Sequence, residues 1–316
     1  MSMILVTSRS FSGGDVDLIA RVENAGHTVV RGPAHHDLTE LEPHLAQTHA
    51  WIAGTGPITT AHLEAAPQLQ VIARYGVGTE AVDITEARRR GVVVTNTPGA
   101  NADAVADLAV GLMLSALRHL SDGDRRVRTG DWSVRRGREL GAATVGIIGF
   151  GRIGQGVARR VGGFGATVLA HDPFLDPQSA ARLLTEPVEL DTLFSRSDVI
   201  SLHAPGGHVL VTSARLESLP AGSLIVNTAR ADLVDEQAVA DALVSGQLGG
   251  YAADVLAGDT AAHDSPLLAD TLADRVVLTP HLGAQTIQAV DTMGSIAVDN
   301  ALAVLAGDPP PNPVTA

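Results

Sequence analysis

Short apolar runs rich in Val, Ile, Leu and Ala recur along the chain, and apolar residues at helical spacing fill the stretches between them. Runs of that length bounded by turn residues predict buried strands. Their alternation with helices predicts α/β layers built on parallel sheets. In the first part, residues 4–7, 28–30, 50–53, 71–73 and 92–95 are the strand candidates, with a helical stretch over 15–25. A second series starts at Thr144 and continues through 167–170, 199–202, 224–227, 250–254 and 276–278. Two separate series predict two doubly wound units.

Residues 101–119 form the clearest helix between them, Ala-rich with Val105, Leu108, Leu112 and Leu117 at helical spacing. The segment 285–305 is also helical in pattern, with Ile287, Val290, Met293, Ile296, Ala297 and Val304 on one side. Because it follows the last strand of the second series, it is expected to return to the first unit. That predicts a discontinuous domain of residues 1–98 and 285–316 around a continuous one of 99–284. The tail Asp308-Pro-Pro-Pro-Asn-Pro cannot continue a helix and reads as an exposed end.

Composition narrows the function classes. The 316 residues are enough for two cores, and the 45% hydrophobic and 18% charged content is ordinary for an enzyme. Aromatics are only 3%, which suits a parallel sheet covered by Ala-rich helices. The formal net charge of −13 argues against a nucleic-acid partner, and the cationic side chains other than His are all Arg. An anionic substrate then needs locally placed arginines. With no Cys there is neither a disulfide nor a thiolate metal site, and no HExxH-like cluster gathers the 12 His. No metal is expected. No apolar run reaches membrane length and MSMILVTSRS is too short for a signal peptide, so a cytoplasmic location is expected.

The most specific chemistry lies in GIIGFGRIG, where an apolar run closes in Gly149-x-Gly151-x-x-Gly154. Gly149 suits the tight turn, Gly151 lets backbone approach a pyrophosphate, and Gly154 lets helix lie close to strand. The helix N-terminus near Arg152 and Ile153 offers unpaired N–H groups to phosphates. Asp172, in HDP, follows about 20 residues on, where a carboxylate accepts the ribose hydroxyls. It would repel a 2′-phosphate, which favours NAD over NADP.

Three further motifs end predicted strands: Asn227-Thr228-Ala229-Arg230, Asp254 in GGYAAD, and Thr279-Pro280-His281-Leu282-Gly283. Open α/β sheets place ligands at such ends. Together with HDP, the HAP of His203, Ala204 and Pro205, NTARADLVDE and TPHLGAQT, this series resembles the NAD-dependent D-isomer-specific 2-hydroxyacid dehydrogenases. LQVIARYGVGTEAVD and VVVTNTPGANADAVAD are most similar to the phosphoglycerate dehydrogenase branch. The resemblance implies a Rossmann nucleotide-binding domain plus a flavodoxin-like substrate domain. It implies hydride exchange between NAD(H) and a small anionic D-2-hydroxy or 2-keto acid, 3-phosphoglycerate-like in that branch, by a homodimer.

Residue by residue, the resemblance gives Arg230 the role of clamping the oxo acid and His281 that of acid/base. Asp254 would accept a hydrogen bond from the nicotinamide carboxamide. His203, Ala204, Pro205, Thr228, Ala229, Gly283 and Val105 would line the coenzyme site. Backbone N–H groups of Gly76, Val77 and Gly78 would take the substrate carboxylate, with Arg74 and Tyr75 beside them. Where the family carries a Glu that pairs with the His, this chain has Asp259, one methylene shorter; a solvated loop Asp is the alternative. Pro205-Gly206-Gly207 replaces the family's Pro-Leu-Thr and predicts a looser loop. Trp132, Arg135, Arg136 and Arg138 read as a solvated basic loop. Two other functions stay open: oxidation of phosphite or a phosphonate on the same scaffold, and NAD sensing by a binding protein without turnover.

Overall fold

Successive residues of a strand face opposite ways, so a run apolar throughout must be covered on both sides. In the computed structural model, which describes residues 1–258 and 264–314, every predicted run forms a strand; the edge strands Thr28–Arg31 and Val276–Leu278 are the least covered. Two compact units result, one made of Met1–Ala104 with Ala284–Ala316 and the other of Val105–Gly283. The dividing point lies inside the helix Ala102–Arg118, a few residues past the boundary expected from sequence.

The first unit holds β1 (Met3–Val6), β2 (Thr28–Arg31), β3 (Thr48–Ala53), β4 (Val71–Arg74) and β5 (Val93–Thr95). They pair in the order β2-β1-β3-β4-β5, all parallel, the flavodoxin-like arrangement. Ile4 and Val6 of β1 face one layer, where Met293, Ala297, Val298 and Ala301 of the helix Ile287–Leu305 pack on the sheet. Leu5, between them, faces Leu41, Leu45 and Trp51 on the other side. Ile287, expected on the apolar side of that helix, is exposed in its first turn. The Pro-rich tail is largely exposed, as expected, yet it is bonded to the sheet. Val314 N donates to Val94 O at 2.8 Å and Pro313 bridges Thr95, so the tail lies antiparallel along the open edge of β5.

The second unit holds β6 (Thr144–Ile148), β7 (Thr167–His171), β8 (Thr185–Pro187), β9 (Val199–Leu202), β10 (Ser223–Asn227), β11 (Leu248–Ala253) and β12 (Val276–Leu278). The parallel order β12-β11-β10-β9-β6-β7-β8 reverses direction at β6, as in a Rossmann fold. The strand β8 is not foreseen from sequence. It is a three-residue edge strand of Thr, Glu and Pro, without an apolar run, as edges commonly are.

After Arg118 the chain continues into a second helix, Leu120–Arg128, bent by 60° at His119, whose φ is +55°. This polar helix carries no apolar stripe to reveal it in sequence. Its buried Asp122 pairs with Arg125, Arg126 and Arg135. The segment of Trp132, Arg135, Arg136 and Arg138 is exposed, as expected, with Arg135 also paired to Asp274 at 2.8 Å and Arg138 to Asp198 at 2.5 Å. No single helix among the described residues is long and apolar enough to cross a membrane.

Candidate active site

The three motif glycines of the second unit have separate jobs. Gly149 has φ +91°, and a Cβ there would lie 2.6 Å from the carbonyl carbon of His203. A Cβ on Gly154 would overlap the Gly149 carbonyl oxygen, so the helix Arg152–Gly163 approaches its own loop only because that position is bare. Gly151 differs: a Cβ there meets no described atom within 4 Å, and no side chain caps the helix that it begins. The first-turn amides therefore open onto free space, the setting that a pyrophosphate occupies. Asp172 accepts Phe150 N at 2.7 Å on one carboxylate oxygen and Phe174 N at 2.8 Å on the other. Each oxygen keeps a second acceptor position, which leaves room for two ribose hydroxyls.

Next along the sheet, His203 N donates to Ile148 O at 2.7 Å and its Nε2 lies 2.8 Å from Ser201 Oγ. Burial pushes its pKa down to about 3, so the ring is neutral. Its Nδ1 and the Thr228 hydroxyl are buried without a partner among the described residues. Buried polar atoms left unpaired are costly unless a ligand or water satisfies them. Open glycine, free acceptor positions and orphaned polar atoms all stand on one end of the sheet, and together they fit a dinucleotide. The Gly206–Gly207 turn is not loose. Gly207 N donates to the Asp232 carboxylate at 2.7 Å, and a Cβ on Gly206 would lie 2.7 Å from an Asp232 oxygen.

The remaining residues of this unit gather through register. Ala253 of β11 pairs with Asn227 of β10 on one side and Leu278 of β12 on the other. Asp254, Arg230 and His281 thus leave three aligned strand ends at one edge. Fully buried Asn227 shapes the Arg230 turn: its amide oxygen accepts Ala229 N at 3.0 Å and its amide nitrogen donates to Arg230 O at 2.8 Å. The half-buried Arg230 guanidinium donates to Ala229 O at 2.8 Å.

Asp254, also buried, organises the His281 loop. Its carboxylate accepts the Thr279 hydroxyl and Leu282 N on Oδ1, and Gly283 N at 2.8 Å on Oδ2. The backbone of His281 is left-handed, φ +52°, a conformation that a non-glycine residue holds only when its neighbours enforce it. The imidazole is exposed. A Cβ on Gly283 would touch Asp254 Oδ2 at 3.0 Å and a Val105 methyl at 3.3 Å, so Val105 packs directly against this loop. Asp259 lies outside the described residues. Asp107 pairs with Arg160 and has a structural role.

In the first unit, the carbonyls of Gly76, Val77 and Gly78 are each taken by an internal donor: Thr97 N at 3.0 Å, Asn96 Nδ2 at 2.8 Å and Arg74 Nε at 3.1 Å. In a trans peptide the next N–H points away from its carbonyl, so the amides of Val77, Gly78 and Thr79 face away from these donors. These amides are therefore left for an outside acceptor, such as an anion. Arg74 is buried and also donates to Ala53 O at 3.3 Å. Tyr75 is turned into the core of its unit, against Phe11, with its hydroxyl donating to Val290 O at 2.9 Å.

Sequence reasoning gave no role to three residues that shape these loops: Asn227 and Thr279, named there only as the first residues of their motifs, and Asn96. Their only signal is a polar residue directly at the end of an apolar run.

Residues 110–283 match the model of the D-isomer specific 2-hydroxyacid dehydrogenase, NAD binding domain. The chain is 42% identical over 257 residues to a D-3-phosphoglycerate dehydrogenase of Mycobacterium tuberculosis, covering 80% of this chain and 48% of that one. It thus spans about half the length of the curated relatives of that name. A glyoxylate reductase of Thermofilum pendens is 37% identical over 268 residues, covering 81% of this chain and 78% of the relative. The crystal structure of the TT0316 protein from Thermus thermophilus superposes with a TM-score of 0.89 at 34% identity, covering 99% and 100% of the two chains. The glycine loop, the acid after β7 and the aligned loops of Arg230, Asp254 and His281 lie in or beside the matched region, and the chain belongs to the D-isomer specific 2-hydroxyacid dehydrogenase family.

Proposed function

We propose that the protein is an NAD-dependent oxidoreductase that interconverts a small D-2-hydroxy acid and its 2-keto acid. When bound, the coenzyme supplies or takes up the hydride. The chain's own groups do the rest. Arg230, whose planar fork matches an oxo acid, binds the substrate and polarises its carbonyl. Protonated His281 gives its proton to the carbonyl oxygen during reduction, and the neutral ring takes it back during oxidation. The amides of Val77 and Gly78 receive the carboxylate. Gly149, Gly151, Arg152, Ile153, Gly154, Asp172, His203, Ala204, Pro205, Thr228, Ala229, Gly283 and Val105 hold the coenzyme, and one unused acceptor position on Asp254 Oδ2 is left for its carboxamide. Asp259 is assigned to orient His281.

The observation that carries this reading is the register that brings the Arg230 and His281 loops together, at the same end of the sheet as a glycine loop open to phosphate. The names of the relatives favour glyoxylate or the phosphorylated keto acid of the phosphoglycerate branch as substrate class. A homodimer belongs to the same reading, supported by the exposed apolar side chains of Leu120, Trp132 and Val134. The test is NADH absorbance with a panel of 2-keto acids, repeated with NADPH. Turnover with NADH is expected; coenzyme binding without turnover of any of them overturns the proposal.

A further inference from the structure

Three asparagines of the first unit form a continuous chain of hydrogen bonds that ends on the 76–78 loop. Asn300, on the helix Ile287–Leu305, is fully buried. Its amide nitrogen donates to Asn96 O at 3.1 Å and its amide oxygen accepts Asn312 N at 3.0 Å. The partners, a carbonyl and an N–H, allow only this orientation of the amide. Asn96 N donates in turn to Asn312 O at 3.3 Å. The main chain of Asn96 is therefore held on both sides, and its side chain reaches Val77 O at 2.8 Å.

That carbonyl belongs to the same peptide plane as Gly78 N–H, so fixing one aims the other. A segment with two glycines has little conformational preference of its own, and Gly76 already sits at φ +146°. Its geometry must come from outside anchors. Two of these, Asn96 Nδ2 and Thr97 N, stand on the piece of chain that the tail and Asn300 clamp.

We propose that Asn96, Asn300 and Asn312 are positioning residues, which couple the tail pairing on β5 to the aim of the Gly78 N–H toward the substrate carboxylate. This rests on the reading that the 76–78 loop receives that carboxylate. A contact made equally in ground and transition states changes KM more than kcat.

The full-length chain is tested as two variants. Asn96→Ala removes the donor to Val77. Asn312→Pro removes the N–H given to Asn300 along with the Asn312 side chain, keeps the carbonyl that accepts Asn96 N, and leaves residues 76–78 unchanged. Both are expected to raise KM for the 2-keto acid about tenfold, the worth of roughly one hydrogen bond, with kcat and NADH affinity little changed. Backbone NMR order parameters at Gly78 and Thr79 are expected to fall in both. Unchanged order parameters overturn the relay and leave the function intact. Lower order parameters with an unchanged KM overturn the link to substrate. Failure of the function itself is distinguishable, because wild type then turns over no 2-keto acid; that outcome removes the substrate role too, while the order parameters still report on the relay.

Discussion

Asp254 holds His281 through the backbone: its carbonyl accepts the His281 N–H at 3.1 Å, while its carboxylate accepts the amides of the next two residues. Three donors on one buried carboxylate keep a left-handed histidine in place. Asp254→Asn puts an amide N–H against one of these donors. It is expected to lower kcat at least tenfold and to destabilise the fold by about 1–3 kcal/mol, the range for a buried donor left unpaired. Steady-state kinetics together with chemical denaturation measure both, and an unaltered kcat would mean that the loop is held by other means.

Arg230 and His281 have chemical roles that small changes expose. Arg230→Lys keeps the charge and loses the planar fork, so kcat/KM for the 2-keto acid is expected to fall about 100-fold or more. His281→Ala removes the proton donor and is expected to lower kcat by about 10²–10⁴. Circular dichroism should match wild type in both. Near-normal turnover in either purified variant counts against its assigned role.

The glycine loop predicts opposite outcomes for two similar changes. Gly151→Ala fills open space at an ordinary φ of −73°, so melting is expected to stay near wild type while NADH affinity falls about tenfold or more. Gly154→Ala forces a methyl into the Gly149 carbonyl, so the fold itself is expected to lose about 1–3 kcal/mol. Fluorescence titration with NADH beside thermal melts separates them. Equal effects of both changes on melting would refute this division of labour.

Acid sensitivity has a buried source in the first unit. His36 Nε2 lies 2.6 Å from the Thr7 hydroxyl, its Nδ1 lies 3.1 Å from Pro57 O, and burial lowers its pKa to about 4. The Thr7 oxygen already accepts Trp51 Nε1, so its proton is available to a neutral ring. Between the unfolded value near 6.5 and the folded value near 4, the unfolded chain binds a proton that the folded one refuses. Stability from this site is complete above pH ~6.5 and is lost as pH falls toward 4, by ~3 kcal/mol for this residue. Denaturation midpoints from pH 7 to 4 check the slope. His36→Asn, which tolerates the local φ of +57°, is expected to flatten it; an unchanged slope would exonerate His36.

Much of the fold was legible because its code is local. Parallel strands covered by helices are largely apolar, so eleven of the twelve strands among the described residues announce themselves, while the polar edge strand β8 and the polar helix Leu120–Arg128 do not. The glycine loop was legible for the same reason, since a bare Cα has few other uses at a strand-to-helix turn. Asn96, Asn227 and Thr279 were not, because a hydrogen-bonding role depends on a partner distant in sequence. Tyr75 shows the converse: its neighbours in sequence suggested a substrate contact, yet its ring lies in the core.

The chain's pattern by itself determined two doubly wound units, the place of a dinucleotide loop and the family, since each depends on spacing within a few neighbouring residues. Only tertiary structure decided that Ala253 aligns the Arg230 and His281 loops, that one aspartate carries three donors, and that a proline-rich tail is bonded to an asparagine relay. Strand order and long-range hydrogen bonds are set by packing of the whole unit, and no local run of residues encodes them.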